Sequence, residues 1–199
     1  AYRDCATYVG VKVRNIATTL DSNWEPSISE IENTINSNTK MIVLNYPNNP
    51  TGKVLSPKLQ DQIIELAEQH DLYVLSDEIY SEYAFSNWKS VLTNNYKKSI
   101  TIQSFSKSHA MTGLRIGYAI ADKAIIEKMV KLQALCITNV AEPIQYAALK
   151  ALEADTAQKA NDNDKFIMLS ISAVIQFTML FDPLNIGTFL KNKIQQIQT

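Results

Sequence analysis

The stretch SITIQSFSK at residues 99–107 joins an apolar segment to a polar turn that ends on Lys107. We predict a strand over residues 99–105, since a short apolar run next to small polar residues is typical of a buried strand. The end of this run carries Ser104, Ser106 and Lys107. Ligands of open α/β sheets bind at the carboxyl ends of the strands, so we expect these three side chains at a ligand-binding edge.

Strand-like and helix-like segments alternate on both sides of this stretch, from residue 10 to about residue 153. The predicted strands lie at residues 11–17, 41–46, 72–76, 99–105 and 114–121. The predicted helices cover residues 27–37, begin at Ser56-Pro57, include residues 125–132 and begin again near Pro143. This alternation predicts the α/β class, with a mostly parallel sheet flanked by helices.

A second polar group is expected at the same edge. Asp77 directly follows the strand at residues 72–76, and Tyr80 comes three residues later, on the same side of a helical turn. A buried carboxylate can keep a ring nitrogen protonated, and a phenol can donate to a ring oxygen. Asn49, in the turn at residues 47–52, could bring its amide to that oxygen. Taken alone, Asp77 could also cap a helix, Tyr80 could be a packing residue and Asn49 a plain turn-former.

Ser104, Ser106 and Arg115 form a candidate phosphate site. Two hydroxyl donors and a planar guanidinium suit phosphate oxygens. Arg115 is one of only three arginines in the chain and lies within the apolar segment predicted as a strand at residues 114–121. A charged side chain there needs an anion nearby, although a structural salt bridge is the alternative explanation.

Lys107 completes a set of residue types that suits pyridoxal 5′-phosphate (PLP). Its amine can form a Schiff base with the PLP aldehyde and can then move a proton between a substrate and the cofactor. Taken singly, Lys107 could be a surface lysine in a loop. His109 lies two residues away, and we interpret it as a packing residue or a supporting residue of the site.

Composition narrows the class of protein further. The 199 residues are 46% apolar and carry 19 basic and 20 acidic side chains, so nothing favours nucleic acid as a partner. Cys5 and Cys136 have no metal-ligand spacing, which predicts no metal site and favours a reducing, cytoplasmic setting. The first residues show no secretory signal pattern. The apolar stretch at residues 166–181 is too short and too often interrupted to span a bilayer, so we expect a buried helix or strand pair there rather than a membrane segment.

Four segments together resemble the fold-type I PLP enzymes of the class I and II aminotransferase family. They are NNPTGK at residues 48–53, SDEIY at 76–80, SFSK at 104–107 and MTGLRIGY at 111–118. The resemblance implies that Lys107 forms the Schiff base, that Asp77 holds the ring nitrogen, and that Asn49 and Tyr80 contact the ring oxygen. It also implies that Ser104, Ser106 and Arg115 hold the phosphate, that the substrates are an amino acid and a 2-oxo acid, and that the protein is a homodimer.

The resemblance covers residues 2–153 and predicts an incomplete large domain of the PLP-transferase type. We therefore expect a PLP-binding core at residues 1–153 and an atypical tail at residues 154–199. Members of the family are about twice this length, and residues 116–199 contain no arginine to bind a substrate carboxylate. The main hypothesis is the core of an aminotransferase with weak or no activity by itself. A PLP-dependent lyase and an inactive, truncated remnant are the alternatives.

Overall fold

The computed structural model of the chain describes residues 2–153. The strands are β1 (Met41–Asn45), β2 (Tyr73–Asp77), β3 (Ser99–Ser104) and β4 (Gly117–Ala121). The helices are α1 (Tyr2–Tyr8), α2 (Ile28–Thr34), α3 (Pro57–Gln69), α4 (Phe105–Ser108), α5 (Lys123–Ile137) and α6 (Glu142–Glu153). The predicted tail at residues 154–199, with its apolar stretch, lies outside the described residues, so the boundary near residue 153 stays a prediction.

The four strands form one sheet in the order β1-β2-β3-β4. The first three are parallel and β4 is antiparallel to β3. Helices flank the sheet, which confirms the predicted α/β class with a mostly parallel sheet. In the parallel register Asn45 lies beside Asp77, and Asp77 lies beside Ile102. The carboxyl ends of the three parallel strands therefore meet at one edge.

Local signals in the sequence fix where α2 and α3 begin. Ser27 caps α2 and accepts a hydrogen bond from the Glu30 backbone N–H, while Ser56 caps α3 in the same way with Leu59. Pro57 occupies the first turn of α3, where its missing N–H costs nothing. The apolar side of these helices joins the strands in one core cluster, which includes Ile31, Leu44, Ile63, Ala67 and Val74.

A second core cluster lies between the end of β3 and the last helix. It consists of Phe105, Ile116, Val140, Ala148 and Leu152. Phe105 and Ile116 flank the segment that connects β3 to β4, so the cluster anchors both ends of that segment. The predicted helices near residues 125–132 and Pro143 are confirmed as α5 and α6.

Two sequence predictions about strands were wrong. Residues 11–17 form no strand, and the side chains of Val11 and Val13 are 55% and 40% exposed. An apolar pattern alone does not make a strand, because the backbone also needs a neighbour to pair with. The strand predicted at residues 114–121 begins only at Gly117, because Arg115 has a left-handed backbone with φ of 53° that a strand cannot continue.

Among residues 2–153, every helix is too short or too polar to cross a membrane.

Candidate active site

Asp77 is the most deeply buried charged residue of the site. It ends β2 and has no exposed surface. The Tyr2 hydroxyl donates to its Oδ2 at 2.6 Å, Asn45 Nδ2 donates to the same atom at 3.0 Å, and the Ile79 backbone N–H donates to Oδ1 at 3.3 Å. Burial raises the pKa of Asp77, and the three hydrogen bonds act in the opposite direction. The carboxylate is thus held firmly although it is removed from water.

The sequence patterns predicted neither of the two side chains that hold Asp77. Asn45 is the last residue of β1 and lies beside Asp77 in the register, so the rule about strand ends could have found it. Tyr2 lies on α1, 75 positions before Asp77, and no local pattern connects the two. Burial raises the pKa of the Tyr2 phenol, and the neighbouring Asp77 charge adds to that effect. The Tyr2 phenol therefore stays protonated and remains a donor.

Asn49 and Tyr80 contact each other. Asn49 Nδ2 donates to the Tyr80 hydroxyl oxygen at 2.8 Å, although the residues lie 31 positions apart. Two side chains that were predicted independently for one ring oxygen thus meet in space. The Tyr80 ring also faces Lys107, whose Nζ lies 5.7 Å from the ring centroid. The turn at residues 47–52 and the segment after β2 therefore converge on Lys107.

Lys107 lies in α4, immediately after β3. Partial burial lowers the pKa of its amine, and the positive charge of Arg115 lowers it further. A lower pKa increases the neutral, nucleophilic fraction of a lysine at physiological pH. The Tyr83 hydroxyl donates to the Lys107 backbone carbonyl at 3.0 Å, which fixes the turn that carries the amine. Sequence analysis missed this contact as well.

Ser104 and Ser106 form the start of α4. Ser104 is the cap residue: its Oγ accepts from the Ser106 backbone N–H at 3.1 Å and donates to the Ile116 carbonyl at 3.2 Å. Ser106 is buried, and Thr112 donates from its hydroxyl to the Ser106 carbonyl at 2.9 Å. Both predicted serines therefore lie on the short connection from β3 to β4.

Arg115 closes that connection at its other end. Its Nη1 donates to the Thr112 carbonyl at 2.8 Å, and its charge reaches Lys107. Gly117 follows and pairs with Ser104 across the two strands. A Cβ at Gly117 would lie 2.6 Å from the Gln103 carbonyl oxygen, so only glycine allows β4 to approach β3 this closely.

Glu78 is a buried carboxyl group that sequence analysis did not single out. Its side chain is 1% exposed, and its Oε1 accepts from Ser76 Oγ at 3.0 Å and from the Val91 backbone N–H at 2.9 Å. Burial raises its pKa to about 7, against the lowering effect of these hydrogen bonds. Glu78 directly follows the end of β2, and the negative charge of Asp77 adds to the rise in its pKa.

All seven predicted site residues lie in the described part of the chain, at or just beyond the carboxyl ends of β1, β2 and β3. The direct contacts join Asn49 to Tyr80, Tyr80 to Lys107, and Ser104 to Ser106. Asp77 instead contacts Tyr2 and Asn45. The arrangement places a buried carboxylate, an activated amine and a set of hydroxyl and guanidinium donors along one edge of the sheet.

The family model described as "Aminotransferase class I and II" matches residues 1–174. The aspartate aminotransferase of Pyrococcus horikoshii is 37% identical over 167 residues, which are 83% of this chain and 43% of that protein. The aromatic-amino-acid aminotransferase 2 of Thermococcus litoralis is 35% identical over 164 residues, with 80% of this chain and 42% of that protein covered.

A solved structure shows the same likeness in three dimensions. The crystal structure of an aspartate aminotransferase from Thermotoga maritima superposes with a TM-score of 0.74 at 33% identity, covering 77% of this chain and 42% of that one. The chain thus spans less than half the length of the relatives that it matches.

Proposed function

The chain belongs to the class I and II aminotransferase family, and we propose that it is part of an enzyme that transfers an amino group between an amino acid and a 2-oxo acid. The cofactor of this family is pyridoxal 5′-phosphate. When bound, PLP supplies an aldehyde for the amino group and a ring that accepts electrons. The observation that carries the proposal is the convergence of Asn49, Tyr80 and Lys107 at one sheet edge.

The donor set fits the ring of PLP. Asp77 is fully buried, and no lysine or arginine within residues 2–153 contributes to its pKa. A buried carboxylate without a cation is costly, and a protonated pyridine nitrogen would relieve that cost. We propose that Asp77 holds the ring nitrogen protonated, with Tyr2 and Asn45 fixing its orientation. Asn49 and Tyr80 are proposed to contact the ring oxygen.

The connection from β3 to β4 fits the phosphate group. We propose that Ser104, Ser106 and Arg115 bind it, because hydroxyl groups and a guanidinium suit phosphate oxygens. The Ser104 hydroxyl, which donates to the Ile116 carbonyl in the structure, would turn towards a phosphate oxygen. The support is that the three residues share one short connection whose backbone is held by Thr112 and Ile116. The closeness of Arg115 to Lys107 also fits a phosphate that lies near the reactive amine.

Lys107 is the proposed catalytic residue. Its lowered pKa leaves more of the amine neutral, so Lys107 would bind the aldehyde carbon of PLP with loss of water. Once the substrate amine has taken its place on that carbon, the free Lys107 amine would carry the proton of the substrate α-carbon to the cofactor. The Tyr83 contact to its carbonyl limits the movement of the backbone during these steps. The side chain alone is then left to move the proton.

We also propose that the complete protein is a homodimer located in the cytoplasm. Three apolar side chains at the end of α5 support an interface: Leu132, Leu135 and Ile137 are 63%, 85% and 47% exposed. Cys5 and Cys136 are both free and exposed, which suits a reducing compartment. In the complete protein, Leu135→Glu is expected to shift size-exclusion elution from dimer to monomer, and Lys128→Glu on the same helix is not. A wild-type monomer would exclude the dimer.

The test of the proposed function is to incubate the 199-residue chain with PLP, reduce with borohydride and locate the modified lysine by peptide mass analysis. We expect modification at Lys107 and its loss in Lys107→Arg. Lys123→Arg, which changes a lysine with an 89% exposed side chain, is the matched control and should keep the label. Scattered or absent label would contradict the assignment. Formation of a 2-oxo acid by the complete protein then tests the transfer itself.

A further inference from the structure

The segment from Ile79 to Ser90 leaves the sheet after β2 and leads to Val91, a buried residue that begins a 3₁₀ turn. It carries the two tyrosines that contact Lys107. The Tyr80 ring lies 5.7 Å from the Lys107 amine, and the Tyr83 hydroxyl donates to the Lys107 carbonyl at 3.0 Å. The position of this segment therefore determines the surroundings of Lys107.

One carboxyl group holds both ends of the segment. Glu78 lies at its start, where its backbone N–H donates to the Ile102 carbonyl at 3.0 Å. Its Oε1 accepts from the Val91 backbone N–H, 13 positions later, at 2.9 Å. The Ser76 hydroxyl donates to the same oxygen at 3.0 Å. Glu78 thus connects β2, β3 and the returning chain at a single buried point.

A separate attachment lies at the far end of the segment, on either side of Val91. Lys89 forms an ion pair with Asp61 on α3, and Asn94 Nδ2 donates to the same Asp61 oxygen at 2.6 Å. Asp61 is largely exposed, whereas Glu78 is buried. Of these two attachments, Glu78 is the one that reaches the strands that carry Asp77 and lead to Lys107. Gln103 on β3 adds a further contact to the segment, because its Nε2 donates to Ser81 Oγ at 3.2 Å.

The ionisation of Glu78 is set by its burial. Burial raises its pKa to about 7, and the neighbouring negative charge of Asp77 raises it as well. The Tyr118 phenol on β4 also faces Glu78. Burial raises the pKa of that phenol, and the negative charges of Glu82 and Glu78 raise it further. Hydrogen bonding from the Val91 backbone N–H, Ser90 and Ser76 acts in the opposite direction on the pKa of Glu78. Within residues 2–153, Oε2 of Glu78 has no hydrogen-bond partner.

We propose that Glu78 is a positioning residue for Lys107: by closing the segment between β2 and Val91, it holds Tyr80 and Tyr83 against the lysine. The inference rests on the proposed function, because it assigns Glu78 a part in the reaction at Lys107. Loss of the closure would release the two tyrosines and expose the amine to water. A more exposed amine has a pKa closer to that of an ordinary lysine.

The test measures Lys107 in the chain without cofactor. The 199-residue chain is labelled with trace acetic anhydride at a series of pH values, and the midpoint of labelling at each lysine is obtained by peptide mass analysis. In Glu78→Ala the midpoint of Lys107 should move up towards that of the exposed Lys123. In Glu78→Gln it should stay in place, because the amide oxygen can still accept from the Val91 N–H.

Two further variants make the result decisive. Asp61→Ala loosens the same segment from α3 and should leave the midpoint of Lys107 unchanged. Glu78→Asp has a shorter side chain that does not reach the Val91 N–H, so it should also shift the midpoint of Lys107. It replaces Glu78→Ala if Glu78→Ala does not fold. An unchanged midpoint in folded Glu78→Asp, or an equal shift in Asp61→Ala, would overturn the proposal. Since the readout needs no PLP, failure of PLP to bind would count against the proposed function alone.

Discussion

The Tyr2 hydroxyl donates a hydrogen bond of 2.6 Å to the carboxylate of Asp77, across 75 positions of the sequence. α1 contains no buried residue, so this hydrogen bond, rather than the packing of buried apolar side chains, connects the helix to the sheet. The buried carboxylate in turn depends on donors from three different parts of the chain. A residue near the beginning of the chain therefore helps to define the centre of the site.

Removing this bond should weaken the site without unfolding it. In Tyr2→Phe the hydrogen bond that lowers the pKa of Asp77 is lost, so that pKa should rise further. We expect the free energy of unfolding to fall by about 1.5 kcal/mol, typical of a hydrogen bond to a charged group. Denaturant unfolding would measure the loss of stability, and titration with PLP would measure the weakening of the site. Tyr8→Phe, which changes a tyrosine that is 92% exposed, is the control and should match the wild type.

Lys107→Ala should abolish catalysis while leaving the fold intact. A positioned acid or base contributes about 10² to 10⁴-fold to a rate, and Lys107 also provides the proposed attachment to PLP. We expect kcat of the complete protein to fall by at least about 10²-fold. Lys123→Ala should keep wild-type activity. Activity of Lys107→Ala within a few fold of the wild type would place the reaction on another residue.

Gly117→Ala should destabilise the junction of β3 and β4. The added Cβ would lie 2.6 Å from the Gln103 carbonyl oxygen, a backbone atom that cannot move without disturbing the strand pair. Overpacking of this kind costs about 1–3 kcal/mol, which thermal or denaturant unfolding would detect. Gly113→Ala is the matched control, because nothing lies within 4 Å of a Cβ there. Equal stability of the two variants would show that β4 can shift freely.

Glu78 should make stability depend on pH. Its pKa of about 7 in the folded chain lies above the ordinary value of 4.5, so the folded chain binds more protons between these values. Stability should therefore fall as pH rises from about 4.5 to about 7 and should level off above that. Glu78→Gln lacks this titration. Its free energy of unfolding should therefore rise by about 3 kcal/mol relative to that of the wild type between about pH 4.5 and about pH 7.

Denaturant unfolding of both chains at pH 5 and pH 8 checks this prediction. Glu82→Gln changes an exposed carboxyl group of the same segment and serves as the control. A stability difference between Glu78→Gln and the wild type that is equal at both pH values would mean that Glu78 does not titrate in this range.

The parts of the fold that were predicted correctly are those with short-range causes. Ser56 and Pro57 start α3 through contacts within one helical turn, and Asp77 lies at the carboxyl end of a buried strand. Arg115 was expected inside a strand because the surrounding residues are apolar. Its left-handed backbone depends on the 3₁₀ turn before it, which an apolar pattern does not reveal.

The contacts that escaped prediction are long-range. The partners of Asp77 on α1 and β1, and the contact of Tyr83 with the Lys107 carbonyl, depend on how distant elements pack. The seven proposed site residues were predicted because each belongs to a short recognisable segment. The residues that support them carry no such signal, since a tyrosine or a glutamate beyond a strand end has many possible uses.

The antiparallel pairing of β3 with β4 has a consequence for the order of folding. Ser104 and Ile116 lie only 12 positions apart, whereas Tyr2 and Asp77 lie 75 apart. Closing the longer loop costs about 1.6 kcal/mol more in chain entropy, so contacts within the short loop form at lower cost. We therefore expect the proposed phosphate half of the site to assemble early as a nearly autonomous hairpin, and the half around Asp77 to form last, when the beginning of the chain docks.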